Sequence, residues 1–227
     1  MSRVSYELDG RVGTIVMDDG KVNCVSNELL DELDRALDAA EADEVGALVL
    51  VGRAGRFSGG FDLNTLKEGG DPAERMLRGG FEMAARLLSF RVPVVVGCTG
   101  HAIAMGVFLV CSGDYRVGAD GPFRLSANEV SIGLTVPLPA LAILRHRLTP
   151  SAFDRAAGLS DTFSPVEAVT AGFLDEVVQP DDVVGIARER AESCLSLDPM
   201  SHAETKLRTR AALLEEISVG ILEDFGQ

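Results

Sequence analysis

Pro93-Val94-Val95-Val96-Gly97-Cys98-Thr99-Gly100-His101-Ala102-Ile103-Ala104-Met105-Gly106-Val107-Phe108-Leu109-Val110-Cys111-Ser112 is the stretch that decides the fold class. Pro93 to Cys98 is a short continuous apolar run, as a strand covered on both faces would be, and an apolar helix is expected from about Ala104 to Ser112 after a turn at Gly100. The same order occurs upstream, where Ala47 to Val51 is a second buried-strand run, Gly52 to Gly60 a glycine-rich exit and Pro72 to Leu88 a helix-like segment. Strand, glycine turn and helix in repetition imply an α/β protein whose units lie in a largely parallel arrangement.

Outward from these units, Asp9-Gly10 is a turn signal between Val4 to Leu8 and Thr14 to Met17, which predicts an opening hairpin. From Ser26 to Ala42 the apolar residues Leu29, Leu30, Leu33, Ala36, Leu37 and Ala40 follow a helical period, with Ser26 placed as N-cap. Tyr115 to Gly118 and Phe123 to Leu125 read as short strands. Beyond Pro137 the pattern is helical over Pro139 to Leu148, Pro150 to Ala157, Ser164 to Ala171, Asp181 to Leu197 and Met200 to Glu223, interrupted by a strand at Leu174 to Val178. The sequence shows no repeat, low-complexity tract or linker. It is read as one core, residues 1–195, with a helical segment, 196–227, suited to subunit contacts.

The 227 residues are 46% hydrophobic and 25% charged, an ordinary globular balance. A formal net charge of -14, with 21 scattered Lys and Arg, argues against nucleic acid as a partner. A few local bases and helix N-termini can still hold an anionic ligand. Cys24, Cys98, Cys111 and Cys194 have no CxxC spacing, and two lie in apolar runs, so reduced thiols and a cytoplasmic location are expected. Met1 to Glu7 has no apolar h-region and no apolar stretch reaches the roughly 18 residues of a membrane helix, so neither secretion nor a membrane span is expected. The His count of three, without paired spacing, points to no metal site.

Two segments carry the chemistry. Phe57-Ser58-Gly59-Gly60-Phe61-Asp62-Leu63 can turn sharply and present amides, with Asp62 able to cap a following helix. Gly100 to Gly106 ends at the N-terminus of an apolar helix, whose positive dipole end favours a developing negative oxygen. Alone, each is a tight strand-to-helix connection. Together they can aim two backbone N–H groups at one oxygen, the arrangement a thioester carbonyl needs as it becomes an enolate. Such chemistry also needs a proton carrier. Glu129, in Ala127-Asn128-Glu129-Val130-Ser131-Ile132-Gly133, is an acid among apolar neighbours and is the candidate.

These two segments, with Asp114-Tyr115-Arg116, Asn128-Glu129-Val130 and Ala168 to Val177, resemble in order the enoyl-CoA hydratase/isomerase (crotonase) family over nearly the whole chain. The resemblance implies a crotonase (ClpP-like) fold of repeated ββα units forming a spiral core with a helical C-terminal region, a homotrimer or dimer of trimers, and an acyl-CoA thioester substrate without a further cofactor. By position it puts the oxyanion hole at the N–H of Phe61 and of Met105, with Gly106 as the alternative second donor and Gly60 beside them. The family's hydratases use two glutamates, whose places here are held by Phe108 and Glu129. A phenylalanine can neither orient water nor pass a proton. The resemblance is therefore to the single-glutamate Δ3,Δ2-enoyl-CoA isomerases, which pair an apolar residue at the first place with an Asn-Glu motif. A hydratase would need Asp62, Glu68 or Glu82 as a relocated acid, and a non-catalytic acyl-CoA binder would make no use of Glu129. His101 reads as a hydrogen-bonded structural residue and Asp114 as structural. Lys21, Arg56, Lys206 and Arg208 are the bases available to CoA phosphates, although each, taken singly, is better suited to a solvated surface.

Overall fold

The computed structural model describes residues 2–226. The chain opens with the antiparallel pair β1 (Val4–Asp9) and β2 (Val12–Met17), followed by β3 (Cys24–Val25) and α1 (Asn27–Ala42). Next come β4 (Ala47–Val51), β5 (Gly55–Ser58), β6 (Gly60–Phe61), α2 (Leu63–Glu68) and α3 (Gly70–Ser89). The stretch that opened the sequence reading supplies β7 (Val94–Cys98), β8 (Gly100–Ile103) and α4 (Met105–Cys111). After β9 (Tyr115–Ala119), β10 (Leu125–Ser126) and a 3-10 turn at Val130–Ile132, the rest is helical except for one strand. Its elements are α5 (Leu138–Arg147), α6 (Pro150–Leu159), α7 (Pro165–Ala171), β11 (Glu176–Val178), α8 (Val183–Cys194) and α9 (Pro199–Phe225).

Six strands form the main sheet in the order β1-β2-β4-β7-β9-β11, parallel from β2 onward. β4 is fully buried because both faces are covered, which is why its sequence is continuously apolar rather than alternating. Leu48 and Leu50 face the larger core with α1, α3, α4 and α5, whereas Val49 and Val51 meet Val183, Ala187 and Ala191 of α8. Leu213, Ile217 and Ile221 bring α9 into the larger core.

A second sheet, β10-β8-β5, is parallel throughout. β4-β5, β7-β8 and β9-β10 thus follow one plan: the first strand enters the main sheet, the second enters the small one, and a helical segment follows. β3 and β6 form their own parallel pair. The small sheet corrects the sequence reading, which took the Gly100 segment as a turn, Gly52 to Gly60 as an exit and Phe123 to Leu125 as a strand. The observed strand lies at Leu125–Ser126. Two further differences are that α8 is shorter than Asp181 to Leu197 and that the helix capped by Asp62 is a separate short one, α2, ahead of α3.

Local signals explain the ends of the elements. Ser26 accepts from the Leu29 N–H and caps α1, while Ser164 and Glu167 complete a capping box on α7. Asp62 accepts from the Asn64 N–H and caps α2.

Candidate active site

Parallel pairing in the small sheet sends three chain segments off the same edge. After Ser58 the chain reaches Phe61, after Ile103 it reaches Met105, and after Ser126 it reaches Glu129. The carboxyl ends of parallel strands are where open α/β sheets gather ligand-binding residues, and the same geometric reason applies here. The Ala104 N–H bonds to the Ser126 carbonyl at 2.8 Å, fixing the Met105 and Glu129 segments side by side.

Gly60 joins the first segment to the second. Its φ is +87°, a left-handed conformation that L side chains rarely adopt. A Cβ there would lie 2.9 Å from the Ala104 Cβ, 2.9 Å from the Ile103 carbonyl oxygen and 3.5 Å from the Met105 nitrogen. Ala104 also has positive φ, +48°, immediately before α4. Met105 is the first residue of α4, so its N–H has no carbonyl one turn back within the helix. A left-handed turn open to glycine at Gly60 and a strained positive-φ residue at Ala104 thus frame the amides of Phe61 and Met105. Gly106, the alternative donor, packs against β5: a Cβ there would fall 2.6 Å from the Ser58 carbonyl oxygen.

Glu129 is 7% exposed and its Oε2 has no hydrogen-bond partner. Burial raises its pKa above the ordinary carboxylate value, against a smaller opposing effect of its own backbone N–H. A carboxyl so placed holds a proton more tightly than an ordinary surface glutamate. Asn128 Oδ1 is likewise buried without a partner. Phe108, one turn beyond Met105, is 1% exposed and packs on Phe81 with ring centroids 5.9 Å apart.

The acids weighed as a second proton carrier have other surroundings. Asp62 is held by the Asn64 N–H and the Thr65 hydroxyl, Glu82 pairs with Arg78 at 2.7 Å, and Glu68 is exposed at the end of α2. His101 accepts from the Arg124 N–H at 3.1 Å through Nδ1 and meets Phe123 edge-on. Its pKa is lowered by burial and then by Arg56 and Arg124.

Of the bases suggested for phosphate contact, Lys206 is a correction. It is 5% exposed, its Nζ lies 2.6 Å from Asp114 Oδ2 and it donates to the Val92 carbonyl, so it is committed inside the fold. Asp114 also pairs with Arg210 at 2.8 Å and accepts the Val94 N–H at 2.7 Å, tying α9 to β7. Burial lowers the Lys206 pKa against the pull of Asp114. Arg208 pairs with Glu204 on exposed surface, Lys21 is exposed, and Arg56 is half-buried with Nη1 on the Gly55 carbonyl. Sequence reasoning missed Ala104, Phe81 and Phe225. The last two form one ring cluster with Phe61 and Phe108. Nothing local in the sequence signals that contact.

Among the described residues no group of three or more His, Cys, Asp or Glu is placed to hold a metal ion. Nor is any helix long and apolar enough to cross a membrane.

Residues 7–219 match the protein-family profile described as "Enoyl-CoA hydratase/isomerase". The chain is 31% identical over 222 residues to the mitochondrial enoyl-CoA delta isomerase 1 of Mus musculus, covering 95% of this chain and 76% of the mouse protein. It is similar to a solved structure of the probable enoyl-CoA hydratase EchA3 of Mycobacterium tuberculosis, with 50% identity, TM-score 0.94 and coverage of 96% of this chain and 93% of that one. A solved structure named as an M. tuberculosis enoyl-CoA isomerase is 50% identical, with TM-score 0.94 and coverage of 97% and 96%.

Proposed function

The chain belongs to the enoyl-CoA hydratase/isomerase family and has its crotonase fold, and from that membership we propose that it moves the double bond of a 3-enoyl-CoA thioester to the 2 position. The observation that carries this reading is a buried carboxyl at Glu129 whose Oε2 has no partner, with Phe108 in the place where the family's hydratases hold a second glutamate. The names of similar proteins include both activities, so the chemistry of the site has to discriminate.

The thioester oxygen sits between the N–H groups of Phe61 and Met105. Glu129 removes a proton from C2, and the electron pair left behind delocalises through C1 onto the thioester oxygen and through the C3–C4 double bond onto C4, as a dienolate. Both amides strengthen their bonds as that charge appears, which is where preorganised donors act. Glu129 then returns the proton to C4, the double bond settles between C2 and C3, and the atoms balance without another reagent. Water would protonate the dienolate at random, and the closely packed Phe108 ring supports its exclusion. CoA enters as part of the substrate and no other cofactor is required. Assembly as a trimer or dimer of trimers, and a cytoplasmic location, complete the reading.

The test is an assay with a 3-enoyl-CoA followed for bond migration and, separately, a 2-enoyl-CoA followed for water addition. Migration without hydration is expected. Hydration of the 2-enoyl-CoA at a comparable rate would assign the chain as a hydratase in which an acid from a position other than 108 completes the site. Binding of both thioesters without turnover would make it an acyl-CoA binder.

A further inference from the structure

Val130 to Thr135, the six residues that follow Glu129, are all exposed, so side-chain packing does little to hold the turn that carries the carboxyl. Its own bonds are local. The Glu129 carbonyl accepts the N–H of Ile132 at 3.1 Å and of Leu134 at 2.9 Å, and the Ser131 hydroxyl donates to the Asn128 carbonyl at 2.7 Å. Among the described residues, one hydrogen bond ties the segment from Asn128 to Val136 to another part of the chain: the Ser131 N–H donates to Ser160 Oγ at 3.1 Å.

Ser160 closes α6 in the left-handed conformation, with φ +53° and ψ 34°. Such positions favour glycine, because a Cβ costs free energy there. α7 closes in the left-handed region on Gly172. At Ser160 the chain carries the strain and keeps a hydroxyl, and that hydroxyl meets an N–H in the first turn of the 3-10 segment Val130–Ile132, one of the groups that the start of a helix leaves free.

The hydroxyl stands on a fixed frame. The Asp161 N–H donates to the Arg155 carbonyl at 3.1 Å, and the Arg155 guanidinium pairs with the Asp161 carboxylate at 2.7 Å while lying over the Phe163 ring. Leu125 and Phe163 exchange two backbone bonds, at 3.0 and 2.9 Å. The α6–α7 connection is thereby joined to β10, the strand that leads into Glu129.

Resting on the isomerase reading above, we propose that Ser160 is a positioning residue for Glu129, its hydroxyl fixing the turn that aims the carboxyl at C2 and C4 of the thioester. One carboxyl that takes a proton from C2 and returns it to C4 has to stay within reach of both carbons, and a displacement of about 1 Å is costly to such a step. Releasing the turn therefore acts on kcat more than on KM.

Two variants separate positioning from structural support, because they move stability and turnover differently. Ser160→Gly removes the hydroxyl and the left-handed strain together: Tm is expected within about 2 °C of wild type, while kcat for a 3-enoyl-CoA falls about tenfold at little-changed KM. Ser160→Thr keeps the hydroxyl but puts a β-branched residue at positive φ: Tm falls by about 2–4 °C, while kcat stays within about twofold of wild type. Hydrogen exchange of the amides of residues 130–134 is followed in parallel, and is expected to be about five- to tenfold faster in Ser160→Gly and unchanged in Ser160→Thr. If Ser160→Thr does not fold, Ser160→Asn, which tolerates left-handed backbone and also carries an acceptor, replaces it. Exchange or kcat unmoved in a folded Ser160→Gly overturns the inference, as does a kcat loss that follows Tm through both variants, and wild-type bond migration then leaves the isomerase reading standing. Faster exchange confined to Ser160→Gly, in a protein that turns over no 3-enoyl-CoA, supports the hold of Ser160 on the Glu129 turn and refutes the isomerase reading.

Discussion

Replacing Gly60 by alanine tests the oxyanion arrangement without touching an ionisable group. At φ +87° an alanine meets the steric cost of left-handed backbone, about 1–2 kcal/mol. Its Cβ would sit 2.9 Å from both the Ile103 carbonyl oxygen and the Ala104 Cβ. Ile103 is locked in β8 between β5 and β10, so the Gly60–Phe61 segment is the part that gives. Reaching an ordinary contact takes about 0.5 Å, the tolerance within which a catalytic constellation must be held. Losing one oxyanion donor lowers kcat by about 10²–10³. Backbone strain and crowding together cost about 2–3 kcal/mol, or roughly 4–12 °C in Tm for a chain of this size. The assay is kcat and KM for a 3-enoyl-CoA beside a thermal melt. A folded Gly60→Ala protein with kcat within about fivefold of wild type would refute the placement of the donors.

Glu129→Gln is expected to lower kcat by about 10²–10⁴ while acyl-CoA binding persists, read from turnover and calorimetry in parallel. The same variant has a stability signature. Because burial raises the Glu129 pKa above 4.5, the folded protein holds its proton more tightly than the unfolded chain, so this group's contribution is favourable below pH 4.5 and is lost as pH rises through the folded pKa. Glu129→Gln should therefore melt no lower than wild type at pH 7 to 8, with any advantage vanishing as pH falls towards 4.5. Asp114→Asn leaves Lys206 and Arg210 facing each other without their carboxylate, and should cost about 3 kcal/mol or roughly 6–12 °C in Tm. An unchanged melting curve would mean that these cations find other partners.

The elements legible in the sequence are those whose signal is local and long. α1 shows its helical period and its Ser26 cap within one window, and β4 and β7 are apolar because both faces are covered. β5, β8 and β10 have two to four residues each, too few to display a period, and Gly55 and Gly100 read as turn formers. Their pairing depends on a neighbour supplied by another unit. The candidate site was legible through its glycines and Glu129, but the sheet that aligns them was not. Lys206 failed for a related reason: on a helix with exposed neighbours it reads as solvated, and its partner Asp114 lies 92 positions away. Phe225 offers no local signal at all, since its meaning comes from Phe81 on another helix.

Four positions that break ordinary rules of stability lie at one edge of the small sheet. Ala104 has φ +48°, Gly60 needs φ +87°, and the Oε2 of Glu129 and the Oδ1 of Asn128 are buried without partners. Comparable exceptions are scattered elsewhere, with positive φ at Glu44 and Ser160 and unpartnered buried nitrogens on Arg116, Arg147 and His202, but Lys206 and Arg210 are matched to Asp114. A fold under selection for stability alone would turn the Glu129 carboxyl towards a donor or replace it with an apolar side chain. Left-handed backbone keeps the Phe61 and Met105 segments close, and burial raises the Glu129 pKa, the direction a proton carrier needs. The exceptions at Gly60, Ala104 and Glu129 match the requirements of the proposed dienolate chemistry, two amides held close and one carboxyl whose proton is held more tightly by burial. That reasoning also separates Glu129 from Lys206: both are buried charged groups, but Lys206 has its carboxylate and Glu129 has no partner for Oε2.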